Sequence, residues 1–416
     1  MNRQLPTGIY IHIPFCVRKC LYCDFNSYAG KEALFESYVE ALRAEIRLGA
    51  AQYPDAGIST VYFGGGTPTV LPPERLADIV NEVRESFHVA PDAEITVEAN
   101  PGVSGASRQS DLTPDPSPKQ GVEALLLPPF RGQAGRGVGT IRTPQSALRN
   151  LFNRLSLGIQ SLCDDELRLL GRPHTSEEAV RAFSDARRAG FQNISLDLMY
   201  GIPGQTPESW RRTLDGVLQL GPEHVSLYSL TVEEGTPFFA MRAAGQLSLP
   251  DEDAEADMYE EAIRTLTAAG FEHYEISNFA KPGFECRHNV IYWRNQPYFG
   301  FGAGATSYLE GVRATNIPTV EEYIRRIQAG KDTTATEECL AGRRAKGETM
   351  FLGLRMLRGV DERVFSERYG TAPQTVFHEE IEELVSRGLL ESENGSLRLT
   401  RTGLLFADDV FAQFVG

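Results

Sequence analysis

The sequence predicts an α/β protein: a partial barrel of parallel strands, of the (β/α)6 type, followed by a helical, winged-helix-like domain. Three observations support this prediction. Short apolar segments alternate with helical patterns, one Pro- and Gly-rich run interrupts the alternation, and the pattern changes to helices and a hairpin after about residue 311. Alternating strands and helices indicate βα units around a parallel sheet. In such barrels the chemistry lies on the loops that follow the strands.

Seven segments have the short, largely uncharged composition of strands that are covered on both faces. They are residues 8–14, 60–63, 94–99, 154–159, 193–199, 224–230 and 273–276. Helices are predicted between them, at residues 34–48, 73–87, 176–189, 207–219 and 253–269. Thr175 opens one of these helices, and Arg187 and Arg188 close it shortly before Gly190, as is typical of helix ends. Six or seven βα units are therefore expected.

Residues 103 to about 145 interrupt this order. The run is rich in Gly, Pro, Ser and Gln, and Pro114, Pro116 and Pro118 each remove a backbone donor. We expect a loop insertion between two βα units, with residues 146–151 as the remnant of a helix. Because loop insertions are well tolerated, deletion of residues 105–143 is expected to leave a folded protein.

The C-terminal part, residues 311–416, is expected to form a second domain after a first domain at residues 1–310. Helices are predicted at residues 319–329, 343–356, 362–368 and 375–387, then hairpin strands at 388–391 and 396–400 and a final helix through Phe411. This order resembles a winged helix. The alternative is a helical cap on the barrel, which we favour because residues 375–387 include Glu379, Glu380, Glu382 and Glu383.

The charge balance restricts the class of partner. The 416 residues include 41 Lys and Arg against 56 Asp and Glu, which gives a net charge of −15. Such a chain is not expected to bind nucleic acid, because phosphate binding needs clustered cations. No apolar run approaches the roughly 20 residues that span a bilayer, and residues 1–5 lack the apolar core of a secretion signal. We expect a cytoplasmic protein that is not integral to a membrane, with transient membrane association left open.

Three of the six cysteines lie together just after the first predicted strand. Cys16, Cys20 and Cys23 have the spacing C-x3-C-x2-C, and clustered thiols in a reducing compartment indicate a metal site. Thiolates suit both iron–sulfur clusters and zinc. A structural zinc site usually has four protein ligands, and no nearby His is spaced as the fourth. Three thiolates on a four-iron cluster leave one iron open to a small molecule, which favours a [4Fe-4S] cluster.

The cysteine segment and four later segments resemble the radical S-adenosylmethionine superfamily. I-H-I-P-F-C at residues 11–16 is followed by G-G-G-T-P at 64–68, E-A-N-P at 98–101, N-R-L-S-L-G-I-Q-S at 153–161 and D-L-M-Y-G-I-P-G-Q at 197–205. Within the superfamily, the chain is similar to the branch of the anaerobic coproporphyrinogen oxidases. The resemblance implies a radical S-adenosylmethionine barrel with two cofactors, the [4Fe-4S] cluster and S-adenosylmethionine.

The resemblance also implies which side chains contact S-adenosylmethionine. They lie on the loops at the strand ends and are Tyr10, Tyr22, Gly65, Gly66, Thr67, Glu98, Gln160, Arg172 and Asp197. Glycine lets the backbone approach a ligand, the carboxylates suit a sulfonium or ribose hydroxyls, and Gln and Arg can hydrogen-bond a carboxylate or ribose. Taken singly, the glycines are also consistent with a tight turn and the acids with helix caps.

Two features distinguish members of this branch. The oxidases carry another Cys two residues after the third one, where this chain has Phe25. The segment H-N-x-x-Y-W at residues 288–293 is similar to the HemW family of haem chaperones. This resemblance implies haem as a third cofactor, contacted by His288, Asn289, Tyr292 and Trp293. His288 is a candidate axial ligand and Cys286 a rival one, although a His beside aromatic residues is more often part of a protein core.

Three functions follow as hypotheses. The first is a haem chaperone that binds haem and transfers it to acceptor proteins. The second is an oxygen-independent coproporphyrinogen III oxidase, an oxidoreductase that decarboxylates propionates in porphyrin biosynthesis. The third is a winged-helix regulator that senses redox state through the cluster. Phe25 and the H-N-x-x-Y-W segment favour the first over the second, and the acidic helix at residues 375–387 disfavours the third.

Overall fold

A computed structural model describes residues 5–102 and 145–415, so all but the last residue of the predicted insertion at 103–145 lies outside the described residues. The strands in these ranges are β1 (Gly8–Ile13), β2 (Phe15–Cys16), β3 (Tyr28–Ala29), β4 (Gly57–Gly65), β5 (His88–Ala99), β6 (Arg154–Gln160), β7 (Ile194–Tyr200), β8 (His224–Ser229), β9 (Glu272–Glu275), β10 (Asn278–Ala280), β11 (Tyr298–Phe301), β12 (Thr306–Leu309), β13 (Val312–Asn316), β14 (Thr334–Cys339), β15 (Val360–Asp361), β16 (Leu390–Glu393) and β17 (Ser396–Leu399).

The helices are also given in chain order. They are α1 (Phe35–Gln52), α2 (Pro73–Ser86), α3 (Gln145–Leu151), α4 (Asp164–Leu169), α5 (Ser176–Arg188), α6 (Pro207–Leu220), α7 (Pro237–Ala243), α8 (Glu252–Ala268), α9 (Arg287–Trp293), α10 (Val320–Gln328), α11 (Gly342–Leu354), α12 (Glu362–Tyr369), α13 (Pro373–Val376), α14 (His378–Ser386), α15 (Arg401–Leu405) and α16 (Ala407–Ala412). Among the described residues, no helix is both long and apolar enough to cross a membrane.

Six parallel strands form the centre of the main sheet, in the order β1-β4-β5-β6-β7-β8. Helices lie between successive strands in the chain, which confirms the predicted (β/α)6-type partial barrel. Of the six or seven expected units, six are present, and the seventh predicted strand does not continue the parallel series. It forms β9, which pairs antiparallel with β10 at the sheet edge. Two residues separate β9 from β10, and so short a connection joins only antiparallel strands.

The opposite edge of the sheet is extended by the chain that follows α9. Strand β11 pairs parallel with β1, and β12, β13 and β14 continue in antiparallel order. The main sheet therefore includes β13 and β14, which lie beyond residue 310. We propose that the second domain begins after Cys339.

The parallel strands have two different faces. Ile9, Ile11 and Ile13 of β1 belong to a large apolar core that is shared with the surrounding helices. The alternate residues face the concave side, where Tyr10 stacks against Tyr62 of β4 at a ring distance of 6.3 Å. Side chains alternate between the two faces of a strand. The face of β1 that carries Tyr10 is therefore polar, and the face that carries the three isoleucines is apolar.

The C-terminal domain has its own core, built around residues such as Met350, Phe377 and Leu397. Strands β15, β17 and β16 form a small sheet, in which β16 and β17 are the predicted hairpin. The single helix predicted at residues 375–387 is wrong. It is divided into α13 and α14 at Phe377, whose backbone leaves the helical region. This break lets the fully buried Phe377 ring pack edge-on against Phe414 at 5.3 Å.

Candidate cofactor site at the carboxyl ends of the parallel strands

The three clustered cysteines lie on the loop that follows β1. Cys16 is in β2, which pairs with β3, and the loop rests on the glycine-rich turn after β4. Gly66 N donates to Ile13 O at 2.9 Å, and Thr67 N donates to Phe15 O at 2.7 Å. A Cβ at Gly66 would lie 2.5 Å from Phe15 O. Glycine is therefore required at position 66 because the cysteine loop packs directly against it.

Polar groups surround the thiols. Cys16 Sγ lies 3.6 Å from Thr67 Oγ1, and Cys20 Sγ accepts a hydrogen bond from Arg172 Nη1 at 3.5 Å. All six cysteines are free thiols. Burial raises the pKa of the Cys16 and Cys23 thiols, whereas the nearby Arg172 charge favours the thiolate of Cys16. Three soft donors on one loop beside a cation fit an iron–sulfur cluster, which binds thiolates.

No three His, Cys, Asp or Glu side chains in the described ranges are placed to hold a single metal ion. A four-iron cluster differs from a single ion in this respect, because each thiolate binds a different iron atom. The assignment of Cys16, Cys20 and Cys23 as cluster ligands therefore stays a prediction from their spacing and surroundings.

Glu98 lies at the end of β5, beside the glycine-rich turn. Its carboxylate accepts hydrogen bonds from Tyr62 Oη at 2.8 Å and from Gly65 N at 3.2 Å. Gly65 has φ of 110°, and a Cβ there would lie 2.5 Å from the His12 ring. Burial, together with the negative charge of Asp197, raises the pKa of Glu98 to about 7. Glu98 is therefore a carboxyl group that changes charge near neutral pH.

Asp197 faces the same concave space from β7. It accepts hydrogen bonds from Ser156 Oγ at 2.8 Å and from Ser195 Oγ at 3.1 Å. Burial raises the pKa of Asp197, while the hydroxyl donors, Ser156 first, oppose the shift. Glu98 and Asp197 thus place two carboxyl groups beside this space, and in their ionised forms they suit a cationic ligand such as a sulfonium or an amine.

A hydrogen-bonded group joins the cysteine loop to the next two strands. Asn100 Nδ2 donates to Thr67 Oγ1 at 2.8 Å, and the Arg172 guanidinium donates to Asn100 Oδ1 at 2.5 Å. Gln160, at the end of β6, has φ of 62°, which is unusual for a residue other than glycine. A Cβ at Gly158 would lie 2.7 Å from Asn100 Oδ1 and 3.0 Å from Gln160 Nε2. The structure therefore brings Thr67, Gln160 and Arg172 close to Asn100, and their contact with S-adenosylmethionine stays a prediction.

Tyr22 occupies the far side of the cysteine loop. Its ring packs 6.4 Å from that of Phe238, and Leu21 N and O bond to Leu170 O and Phe238 N at 3.1 Å each. These contacts fix the middle of the loop against a small apolar cluster. Tyr22 is near enough to Cys20 and Cys23 for their charges to influence its pKa, which burial raises.

A cavity of about 370 Å³ connects the two predicted binding regions. Its lining includes Tyr10, Gly65 and Glu98, which were predicted to contact S-adenosylmethionine, and Tyr292 from the H-N-x-x-Y-W segment. Its other lining residues are His12, Phe25, Asn26, Tyr298, Gly304 and Thr306. One cavity therefore reaches both sets of predicted residues.

His288 lies in the interior, with only 1% of its surface exposed. Its Nδ1 lies 2.8 Å from Thr60 Oγ1, and its Nε2 lies 2.8 Å from Tyr292 Oη. Burial, and secondarily the charge of Arg154, lowers the pKa of His288 to about 3, so the ring is neutral. Both ring nitrogens already have partners, so coordination of a metal by His288 requires Thr60 or Tyr292 to give way.

The other members of the segment differ in environment. Trp293 carries the Arg355 guanidinium 4.4 Å from its ring centre, at the junction with the C-terminal domain. Asn289 is half-buried in the first turn of α9. Cys286, the rival ligand, is fully buried beside Glu94, and burial raises the pKa of its thiol to about 12. Of the four predicted haem contacts, Tyr292 is the one that lines the cavity.

Sequence analysis missed several residues that build this site. Tyr62 and Asn100 bond directly to predicted contacts, Ser156 and Ser195 bond to Asp197, and Tyr228 of β8 leaves 47% of its surface exposed on the concave face. The signal that could have found them is the alternation of polar and apolar residues along each strand. This alternation identifies the site residues only when each strand is known to have one apolar and one polar face.

Comparisons with known proteins agree with this architecture. Residues 10–108 and 145–217 match the family model of the radical SAM superfamily, and residues 347–406 match that of the HemN C-terminal domain. A solved structure, "Coproporphyrinogen III oxidase (HemN) from Escherichia coli is a Radical SAM enzyme", is 24% identical with a TM-score of 0.78, covering 99% of this chain and 90% of that one. Fold and site thus define a radical S-adenosylmethionine protein with a HemN-type C-terminal domain.

Full-length relatives specify the family further. "Heme chaperone HemW" of Bacillus subtilis is 37% identical over 409 residues, which cover 98% of each chain. "Heme chaperone HemW" of Escherichia coli is 32% identical over 423 residues, which cover 100% of each chain. This chain therefore belongs to the HemW family, as the Phe25 position and the H-N-x-x-Y-W segment predicted.

Proposed function

We propose that this protein is a haem chaperone that carries a [4Fe-4S] cluster, binds S-adenosylmethionine, and transfers haem to acceptor proteins. The observation that supports it most directly is the full-length similarity to relatives that are named haem chaperones. The cavity that reaches both Glu98 and Tyr292 gives the proposal a location. The protein would act in the cytoplasm, where reducing conditions preserve free thiols.

In this proposal Cys16, Cys20 and Cys23 hold the cluster, and Arg172 stabilises its thiolates. The cluster supplies an iron with an open coordination position and one-electron chemistry when it is bound. The ionised carboxylates of Glu98 and Asp197 hold the cationic and hydroxyl groups of S-adenosylmethionine. Gly65 N already donates to Glu98 and keeps that carboxylate facing the concave space.

Haem is proposed to bind beside α9, where Tyr292 reaches the cavity. The segment contributes an aromatic wall through Tyr292 and a nitrogen donor through His288, whose Nε2 points at the Tyr292 hydroxyl. Asn289 and Trp293 would support the segment from either end. Porphyrin binding needs both coordination and apolar burial, and in this proposal His288 would supply the first once Tyr292 or Thr60 gives way, while the aromatic lining would supply the second.

The cluster is tested by anaerobic reconstitution of the Cys16→Ala/Cys20→Ala/Cys23→Ala variant. We expect this triple variant to lose iron–sulfur absorbance, because thiolate ligation anchors the cluster. Cys163→Ala and Cys339→Ala serve as matched controls and should retain wild-type iron and sulfide content. A triple variant with full iron and sulfide content would refute the assignment.

The alternative function is oxidation of coproporphyrinogen III. It keeps some support because the residues predicted to contact S-adenosylmethionine are assembled, with Thr67, Gln160 and Arg172 close together. Haem titration of the reconstituted protein, followed at the Soret band, tests the chaperone proposal. Absence of saturable haem binding would refute it and leave the oxidase as the better hypothesis.

A further inference from the structure

Phe25 is a large apolar side chain that the protein presents to solvent at the cofactor site. It leaves 65% of its surface exposed, at the end of the cysteine loop, and it lines the 370 Å³ cavity. Exposed aromatic residues at a concave site are typical of surfaces that a ligand covers. At the level of sequence, Phe25 is a position at which this chain differs from the oxidases.

The backbone on both sides of Phe25 is fixed. Lys19 Nζ donates to Phe25 O at 3.0 Å. The neighbouring Asn26 donates from Nδ2 to Ala303 O at 2.9 Å, and its carbonyl oxygen lies 2.9 Å from His12 Nε2. The exposed ring therefore projects from a held backbone, so its position over the cavity costs little further ordering when a ligand binds.

Other aromatic residues share this cavity with Phe25. Tyr10, His12, Tyr292 and Tyr298 line it, together with Gly304 and Thr306. Tyr292 and Tyr298 pack edge to face at a ring distance of 4.5 Å, which fixes them as one surface. A cavity lined by several aromatic rings suits a flat, apolar macrocycle.

The residues that line the cavity come in part from one edge of the sheet. Among the described residues that line it, several come from the edge formed by α9, β11 and β12. Tyr10, Gly65 and Glu98, which are predicted S-adenosylmethionine contacts, also line it, whereas Gln160, Arg172 and Asp197 do not. The cavity therefore joins part of the H-N-x-x-Y-W segment to one part of the predicted S-adenosylmethionine site.

We propose that Phe25 stacks on the porphyrin plane and is a specificity-determining residue for haem. This inference rests on the proposed haem chaperone function and adds to it a wall from the cysteine loop. Because the same loop carries the cluster ligands, Phe25 would place the porphyrin edge within a few residues of the cluster. Through the Phe25 ring, the cysteine loop would then contribute to the selection of haem as the ligand.

The test is an anaerobic haem titration of the cluster-reconstituted full-length protein with Phe25→Ala, Phe25→Leu and Phe25→Tyr. We expect Phe25→Ala to weaken haem binding by about tenfold or more, because it removes apolar contact and ring stacking. Phe25→Leu should fall in between, and Phe25→Tyr should bind nearly as the wild type does. S-adenosylmethionine affinity should fall much less than haem affinity in all three variants, although Phe25 shares the cavity with Tyr10, Gly65 and Glu98.

Val17→Ala is the matched control. Val17 lies on the same loop and is 55% exposed, but the cavity lining does not include it, so haem affinity should be unchanged. If the wild type binds no haem, the proposed function fails. If the wild type binds haem and Phe25→Ala binds it within twofold, only the Phe25 inference fails. A loss of S-adenosylmethionine affinity as large as the loss of haem affinity, or loss of the cluster in Phe25→Leu and Phe25→Tyr, would also overturn it.

Discussion

Glu98 shows how single residues set the properties of the cofactor site. Its carboxyl group accepts hydrogen bonds from Tyr62 and Gly65 and lies near Asp197. Its ionisation state therefore depends on the other charges in the concave space. Burial raises the pKa of Glu98 to about 7, which means that the group is largely protonated below neutral pH in the free protein. A cationic ligand favours the ionised form.

This balance predicts a pH dependence of ligand binding. Affinity for S-adenosylmethionine should rise between about pH 6 and about pH 8, because deprotonation of Glu98 creates the charge that attracts the cation. Glu98→Gln should lower the affinity and remove most of this rise. Calorimetric titration across the pH range measures both effects. Glu337→Gln, at an exposed position on β14, is the control and should behave as the wild type.

An equal rise in affinity with pH in Glu98→Gln would show that another group is responsible. Asp197 is the first alternative, because burial also raises its pKa and it influences that of Glu98.

For His288, the question is whether the ring coordinates haem iron or only forms hydrogen bonds. Its Nε2 lies 2.8 Å from the Tyr292 hydroxyl, so His288→Ala and Tyr292→Phe separate coordination from hydrogen bonding. If His288 binds the haem iron, we expect a shifted Soret band in His288→Ala and an unshifted one in Tyr292→Phe, because the second variant keeps the imidazole. Cluster absorbance should be unchanged in both. An unshifted band in His288→Ala would exclude coordination by His288.

The sequence motifs identified some residues of this site and did not identify others. Thr67, Gln160 and Arg172 could be predicted from the family motifs, and the structure brings them together. The family motifs did not identify Tyr62 and Ser156, because their side chains act through Glu98 and Asp197 on neighbouring strands. Contacts of this kind depend on strand register, which the spacing of residues within one segment does not contain.

At the scale of elements, the cysteine loop depends on the glycine-rich turn. Thr67 N bonds to Phe15 O, and the backbone of Gly66 lies against Phe15 with no space for a side chain. The conformation of the cysteine loop is therefore restricted by its packing against the glycine-rich turn. This packing also explains why the motifs at residues 11–16 and 64–68 occur together in the sequence.

Gly66→Ala tests this dependence. The added Cβ would meet Phe15 O, so the loop must move, and we expect destabilisation of about 1–3 kcal/mol with reduced cluster content. Chemical denaturation and iron analysis measure the two effects. Gly57→Ala is the matched control, because Gly57 is an exposed glycine at the start of β4 and a Cβ there would have no other atom within 4 Å. Full cluster content in Gly66→Ala would contradict the account.

Helix prediction failed at one element for a related reason. The periodicity of residues 375–387 indicates a continuous helix, whereas Phe377 breaks it in order to bury its ring against Phe414. The partner is far along the chain, so local pattern alone could not reveal the break. Tertiary packing overrides helix propensity at such positions.

At the scale of the whole molecule, the C-terminal domain holds the H-N-x-x-Y-W segment in place. Arg355 stacks on Trp293 and lies 3.7 Å from the buried Glu275 carboxylate. Asn295, just after α9, donates from Nδ2 to Thr349 Oγ1 at 3.0 Å. These contacts favour the predicted cap on the barrel over a winged-helix regulator.

Arg355→Ala should therefore destabilise the junction. It removes the stacking on Trp293 and leaves the Glu275 carboxylate without its cation, so we expect a loss of about 1–3 kcal/mol in the free energy of unfolding. The fluorescence of Trp293 in a Trp210→Phe background should change as well. Arg358→Ala, at an exposed position nearby, is the control. Unchanged stability and fluorescence in Arg355→Ala would show that the junction does not depend on this residue.

Most of the fold could be predicted from the sequence. Six parallel strands and their helices follow from alternating patterns, because each βα unit is local in the chain. The edges of the sheet could not be predicted in this way. Strand β11 joins β1 across almost the whole first domain, and β9 lies in a short hairpin whose direction depends on a two-residue turn.

The central claim is that the protein handles haem as cargo and does not consume a porphyrin precursor. One anaerobic measurement tests it: the cluster-reconstituted protein is given S-adenosylmethionine and a reductant, and haem binding and coproporphyrinogen III consumption are followed in parallel. We predict saturable haem binding with a defined Soret band and no coproporphyrinogen III consumption. Steady formation of protoporphyrinogen without saturable haem binding would contradict the account and identify the protein as an oxidase.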